Sequence, residues 1–164
     1  MNCHVTKEPR AGYRPCVGIC LLNSKGRIFA GQRTDAGDSG GWQMPQGGIE
    51  KGEVPAEAAL REMEEEVGTR SGEILFESRV WRSYDLPADI AGRMWKGRYR
   101  GQTQSWVALR FTGADADIDI HTEHAEFARW QWLQPEEIIE RIVPFKRDIY
   151  LSVFDEFRHL WAGS

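Results

Sequence analysis

Cysteine is scarce in this chain: 164 residues contain only Cys3, Cys16 and Cys20. Their number is odd and no two have the spacing of a paired-cysteine metal site, so a disulfide framework and a zinc ribbon are both excluded, and free thiols in a reducing compartment are expected. Long apolar runs are also missing. No stretch approaches the ~18 apolar residues of a membrane span, and the first ten residues carry no apolar core of a targeting segment. The cytoplasm is the expected compartment, with no membrane partner. Positive charge is not in excess either. The net charge of −4 gives no general attraction for nucleic acid, so any RNA contact needs a local basic patch. Internal repeats and low-complexity tracts are absent. What remains is 41% hydrophobic residues, enough for one globular domain with a substantial core.

Along the chain, residues 16–22 and 27–31 read as two strands joined by the turn Asn23, Ser24, Lys25, Gly26. Residues 74–84 and 104–111 are further strand candidates. In residues 127–133 alternation places Trp130 and Trp132 on one face. Pro135 opens a short helix, and Pro144 interrupts before a helix over 146–161 with the apolar stripe Ile149, Val153, Phe157, Leu160. Residues 87–100, with Trp95, Lys96, Arg98 and Arg100, read as a long surface loop. Loops of that length are often functional.

The most informative segment is a fixed frame: Gly47, five residues, Glu53, seven residues, Arg61, Glu62, Met63, one residue, Glu65, Glu66, one residue, Gly68. Residues 55–67 read as a helix with Pro55 in its first turn and Ala56, Leu60, Met63 and Val67 at helical spacing. Glu62, Glu65 and Glu66 then share the other face near the C-terminal end. Like charges four apart cost roughly 0.2–0.5 kcal/mol, and acids at the negative end of the helix dipole cost a few tenths more. Arg61 is the one counter-charge nearby. A hard divalent cation with oxygen ligands relieves that arrangement most directly, which points to magnesium or manganese. A solvated charge run is the ordinary alternative for Glu64 to Glu66. The frame outweighs it: at typical residue frequencies of ~7%, the seven residues that follow the first glycine at fixed spacing arise by chance roughly once in a hundred million starts.

The segment from Gly47 to Gly68 resembles the Nudix box, the signature of hydrolases acting on nucleoside diphosphates linked to another moiety; only Thr69, where an aliphatic residue is usual, departs from it. The resemblance implies an α/β protein, a Nudix-type α/β/α sandwich with a mixed β-sheet, in which residues 13–161 form a single domain after a flexible segment 1–12. It also implies that Glu62, Glu65 and Glu66 are metal ligands, that the carbonyl of Gly47 adds an oxygen, and that Glu53 and Arg61 form an ion pair orienting the loop. Outside the box, Tyr13-Arg14-Pro15, Trp42 to Gly48, Tyr84-Asp85-Leu86-Pro87, Gly101 to Gln104, Glu126-Phe127 with Trp130, and Pro144 to Arg147 are similar to bacterial RNA 5′-pyrophosphohydrolases, a group also described as dinucleoside polyphosphate hydrolases. Ala125 and Val107 depart from that pattern without removing a charge. By the same match Glu126 is a fourth carboxylate, for metal or for water activation, and Arg14, Arg33, Tyr84 and Lys146 line the substrate site.

The activity so implied is metal-dependent removal of pyrophosphate from the 5′-triphosphate end of RNA to leave a 5′-monophosphate. Cleavage of dinucleoside polyphosphates is the nearest alternative, and a silent nucleotide- or RNA-binding module is a different class. Loss of a box carboxylate would favour the silent module, and none is lost. Two other motifs are weaker. Gly37-Asp38-Ser39-Gly40-Gly41 copies the string around a serine-protease nucleophile, but the only upstream histidine is His4, and the mechanism needs a base within reach of the serine. His121 and His124 lack the further nitrogen or sulfur ligands of a zinc site.

Overall fold

A computed structural model describes residues 3–36 and 40–161. The serine of the protease-like string, with Gly37 and Asp38, lies outside the described residues. Nine strands form one mixed sheet: β1 (His4–Thr6), β2 (Arg14–Leu22), β3 (Ile28–Arg33), β4 (Trp42–Gln43), β5 (Gln46–Gly48), β6 (Gly72–Glu77), β7 (Trp81–Asp85), β8 (Gly101–Phe111) and β9 (Phe127–Leu133). Among the described residues four α-helices accompany them: α1 (Pro55–Val67), α2 (Ala88–Arg93), α3 (Pro135–Arg141) and α4 (Arg147–Phe157).

The sheet is organised by β2 and β8, which run parallel from Arg14↔Gln102 to Leu22↔Arg110. Every other pairing is antiparallel. Both central strands are buried on both faces, and their alternation sorts the core into two layers. Val17, Ile19 and Leu21 of β2 join Val107 and Leu109 of β8 against Ala58, Ala59, Met63 and Val67 of α1. Cys20 and Leu22, with Trp106 and Ala108, face Ile138 of α3 and Ile149, Tyr150, Val153 and Phe157 of α4. Successive side chains of a strand point to opposite faces, so one apolar run serves both helical layers. The result is the α/β sandwich that the resemblance implies.

The β2–β3 hairpin closes as expected: Asn23 N–H donates to Arg27 O at 2.9 Å, and the Asn23 side-chain oxygen accepts from Lys25 and Arg27 N–H. Trp130 and Trp132 do share a face, where both rings pack on Phe29.

Several expectations are corrected. Residues 74–84 are two strands, β6 and β7, because β8 is long enough to pair one along each half. Within the segment expected to be flexible, β1 pairs with β7 from His4↔Ser83 to Thr6↔Trp81, so residues 4–6 belong to the sheet. The segment 87–100 is not simply a loop. It holds α2 and a 3-10 turn, Met94–Gly97. The C-terminal helix begins at Arg147, with Pro144–Lys146 forming a separate 3-10 turn before it. On α1 the core face is Ala58, Ala59, Met63 and Val67, while Ala56 and Leu60 are only half-buried. Glu62 and Glu66 are buried as well, and only Glu64 is exposed among the C-terminal acids.

Candidate active site

Strand β5 delivers the chain to the site. It pairs with β2 (Val17↔Gly47) and leads through a turn into α1, which ends at Gly68 in a left-handed conformation with its N–H on Glu64 O. Arg61 fastens loop to helix. Its guanidinium donates through Nε and Nη2 to the two oxygens of Glu53, both at 2.8 Å, through Nη2 to the Gly48 carbonyl at 2.8 Å, and through Nη1 to Glu62 at 2.9 Å. Such forked, charge-assisted bonds fix geometry as well as charge. They hold the Glu53 carboxyl down to about 2, helped by the Glu50 N–H, and raise the Arg61 pKa further. Gly47 has no room for a side chain: a Cβ there would lie 2.0 Å from the Glu62 carboxyl carbon.

The box carboxylates occupy unequal surroundings. Burial raises the Glu62 pKa, with Arg61 opposing and neighbouring Glu65 adding to the rise. Glu66 is 3% exposed, and its pKa stands well above the ordinary carboxylate range because it is buried and because Glu62 and Glu126 lie close. Its Oε2 is buried without a hydrogen-bond partner among the described residues. Glu65 lies 3.6 Å from Arg61. Glu126 arrives from far along the chain. Thr122 donates to Glu65 O, Asp119 N–H donates to Val67 O at 2.9 Å, and a bulge between Gln32 and Arg33 where β3 meets β9 sets Glu126 3.8 Å from Arg33.

Glu62, Glu65, Glu66 and Glu126 all line one cavity of about 320 Å³, together with Arg14, Arg33, Gln46, Gly47 and Gly48. A buried carboxylate oxygen lacking a donor, in an all-oxygen acidic set, suits a hard divalent cation. The side chains do not form a closed coordination shell: among the described residues no group of three or more acidic, histidine or cysteine side chains is gathered for an ion, and Arg61 engages Glu62.

The four residues expected to bind substrate are spread over two adjoining cavities. Arg14 and Arg33 line the acidic one. Arg33, Tyr84 and Lys146 line a larger, mainly apolar cavity of about 690 Å³ with Leu86, Ile142 and Phe145. Arg33 is held in a forked pair with Asp35 at 3.0 Å. Lys146 is buried, its Nζ donating to Gln43 at 3.1 Å, and burial together with the Arg33 charge lowers its pKa to about 8. Tyr84 forms the floor, 2% exposed, with its hydroxyl donating to Gln102 at 3.1 Å.

Sequence reasoning missed Gln43, Gln46 and Gln102, which line both cavities, and set aside His124, which stands on the rim of the acidic one. Trp95 also lines that cavity. The three glutamines lie inside the motifs Trp42 to Gly48 and Gly101 to Gln104 and Trp95 inside the 87–100 segment, but a neutral amide or a lone aromatic carries no periodic signal that would single it out as a site residue.

Comparison with known proteins agrees with this architecture. The model of the NUDIX domain matches residues 12–153. Curated relatives include the RNA pyrophosphohydrolase of Roseobacter denitrificans, 54% identical and covering 90% of this chain and 93% of that protein, and that of Novosphingobium aromaticivorans, 53% identical with coverage of 90% and 94%. Among solved structures, the Escherichia coli dihydroneopterin triphosphate pyrophosphohydrolase aligns with TM-score 0.60 at 20% identity over 85% of this chain and 95% of that one. A Caenorhabditis elegans Ap4A hydrolase aligns with TM-score 0.59 at 18% identity over 88% and 98%. At such identities the structural likeness speaks for the fold, and the matched domain with its curated relatives speaks for the family. Hydrolases of this kind generally use divalent metal ions. The chain belongs to the NUDIX family of hydrolases.

Proposed function

We propose that the protein hydrolyses the 5′-triphosphate end of RNA, releasing pyrophosphate and leaving a 5′-monophosphate, with magnesium or manganese. The observation that carries this reading is the orphan Oε2 of Glu66, buried beside Glu62 and facing a cavity that also presents arginines. The curated relatives bearing the name RNA pyrophosphohydrolase support the substrate class.

In this reading Glu62, Glu65, Glu66 and Glu126, with the Gly47 carbonyl, hold the cation. When bound, the cation neutralises phosphate oxygens and acidifies water. Arg14 takes phosphate oxygens through forked contacts, while Arg33, whose fork holds Asp35, and Lys146 supply positive charge. Arg61 and Glu53 keep the loop carrying Gly47 against α1. Glu126, exposed at the rim, has the access to solvent that a proton acceptor needs. Tyr84 and Gln102 shape the floor of the apolar cavity, whose size suits a nucleoside. No helix among the described residues is long and apolar enough to cross a membrane.

The test is the specificity constant for 5′-triphosphorylated RNA against diadenosine tetraphosphate in magnesium, with chelator and Glu66→Gln as controls. RNA preference abolished by both controls is expected. Preference for the dinucleotide would replace the substrate assignment, and activity surviving Glu66→Gln would sink the metal assignment.

A further inference from the structure

Residues 95–97 hold an unusual backbone. Trp95, Lys96 and Gly97 have φ of 50°, 56° and 71° in succession. Left-handed residues normally occur singly, and only glycine enters that region freely. Two non-glycine residues there persist only where the surroundings hold them, as strained backbone at functional sites does. This turn carries Met94 and Trp95 to the wall of the acidic cavity.

Trp95 meets Arg14 there, with the guanidinium carbon 5.3 Å from the ring centroid, and Tyr99 at 75° with centroids 5.9 Å apart. The indole remains half-buried rather than enclosed. Arg14 itself makes no ion pair among the described residues. Its surroundings include a 3.9 Å approach to the Cys16 sulfur, the charge of Glu62, and close packing over Gly48, where a Cβ would lie 2.4 Å from Nη2. Arg33, by contrast, is engaged by Asp35 and Glu126. A guanidinium donates hydrogen bonds from its edge and stacks through its face. Arg14 can therefore grip a phosphate while remaining against the indole.

We propose that Trp95 is the platform on which the first nucleobase of the substrate stacks, placed at a fixed distance from the 5′ phosphates by its contact with Arg14. The proposal rests on the 5′-triphosphate reading above and adds to it a base-recognising residue. An indole beside a phosphate site contributes nothing to charge neutralisation. It does offer a π-face to any base, and such stacking contributes about 1–3 kcal/mol per base, or roughly 5- to 150-fold in affinity. The left-handed turn sets the ring there, where a regular helical continuation from α2 would carry it elsewhere.

The experiment measures kcat and KM in magnesium for two 5′-triphosphorylated RNAs that differ only in whether the first nucleotide carries adenine or is abasic. Wild type is compared with Trp95→Ala and Trp95→Phe. For Trp95→Ala, KM for the adenine-bearing RNA rises at least fivefold with kcat within about twofold, KM for the abasic RNA is unchanged, and Trp95→Phe retains most of the wild-type affinity. Equal losses on both RNAs would mean that Trp95 acts only through Arg14 or the fold, and would overturn the proposal. So would an unchanged KM on the adenine-bearing RNA. Failure of the parent reading is distinguishable, since wild type would then turn over neither RNA; that result ends both.

Discussion

Glu66→Gln separates the cost of the site from its use. In the metal-free protein the Glu66 carboxylate is buried, with one oxygen lacking a partner and Glu62 and Glu126 nearby. Glutamine keeps the shape and removes the charge. An unsatisfied buried polar group costs about 1–3 kcal/mol, and more when charged, so the variant is expected to be more stable than wild type in chelator by at least about 1 kcal/mol. For a domain of this size that corresponds to roughly 2–4 °C in melting temperature per kcal/mol. Added magnesium reverses the order, because a cation that binds only the folded form stabilises it by mass action, and the variant lacks a ligand. The sign with pH follows. A carboxyl whose folded pKa is raised holds its proton in the folded state after the unfolded chain has lost it, so metal-free wild type loses stability as pH rises from about 4.3 through the raised folded value. That loss is smaller in Glu66→Gln. Thermal denaturation with chelator and with magnesium checks both statements without an activity assay. A variant less stable than wild type in chelator would refute the reasoning.

Gly47→Ala forces the Glu62 carboxylate aside, since the new Cβ would stand 2.0 Å from it; misplacement by about 1 Å lowers kcat/KM by the order of 100-fold, while melting temperature changes little because an off-rotamer side chain costs only about 0.5–1.5 kcal/mol. Arg61→Lys removes the fork that bridges Glu53, Gly48 and Glu62, and urea denaturation should register a loss of about 1.5–3 kcal/mol, the value of hydrogen bonds to charged groups. Lys146, lowered to about 8 by burial and by Arg33, loses its charge above that pH, so KM for a phosphorylated substrate rises there; Lys146→Arg stays charged and should flatten the rise. For the same lysine the unfolded chain holds more protons between about pH 8 and 10.4, so its contribution to stability grows with pH across that window.

How much was legible depended on whether the signal was local. The frame from Gly47 to Gly68 placed α1 through its helical spacing and, through the family resemblance, the Glu53–Arg61 pair, because a motif confined to one loop and one helix keeps its geometry with its spacing along the chain. Helical periodicity found Met63 and Val67 but not the full extent of burial: Ala58, Ala59, Glu62 and Glu66 are buried with them, since a helix packed against both β2 and β5 is covered over more than one apolar stripe. The split of residues 74–84 was likewise invisible, as the break exists to let β6 and β7 pair with different halves of β8.

The sequence by itself determined the family, and through that resemblance the α/β sandwich, together with the carboxylates gathered on α1, because each is written in neighbouring residues and their spacing. Tertiary structure alone decided that Glu126 stands beside Arg33 through the β3–β9 bulge, that Lys146 is buried on Gln43, and that Trp95 meets Arg14. Those contacts join residues dozens of positions apart, and strand pairing and helix docking, which no local pattern encodes, bring them together.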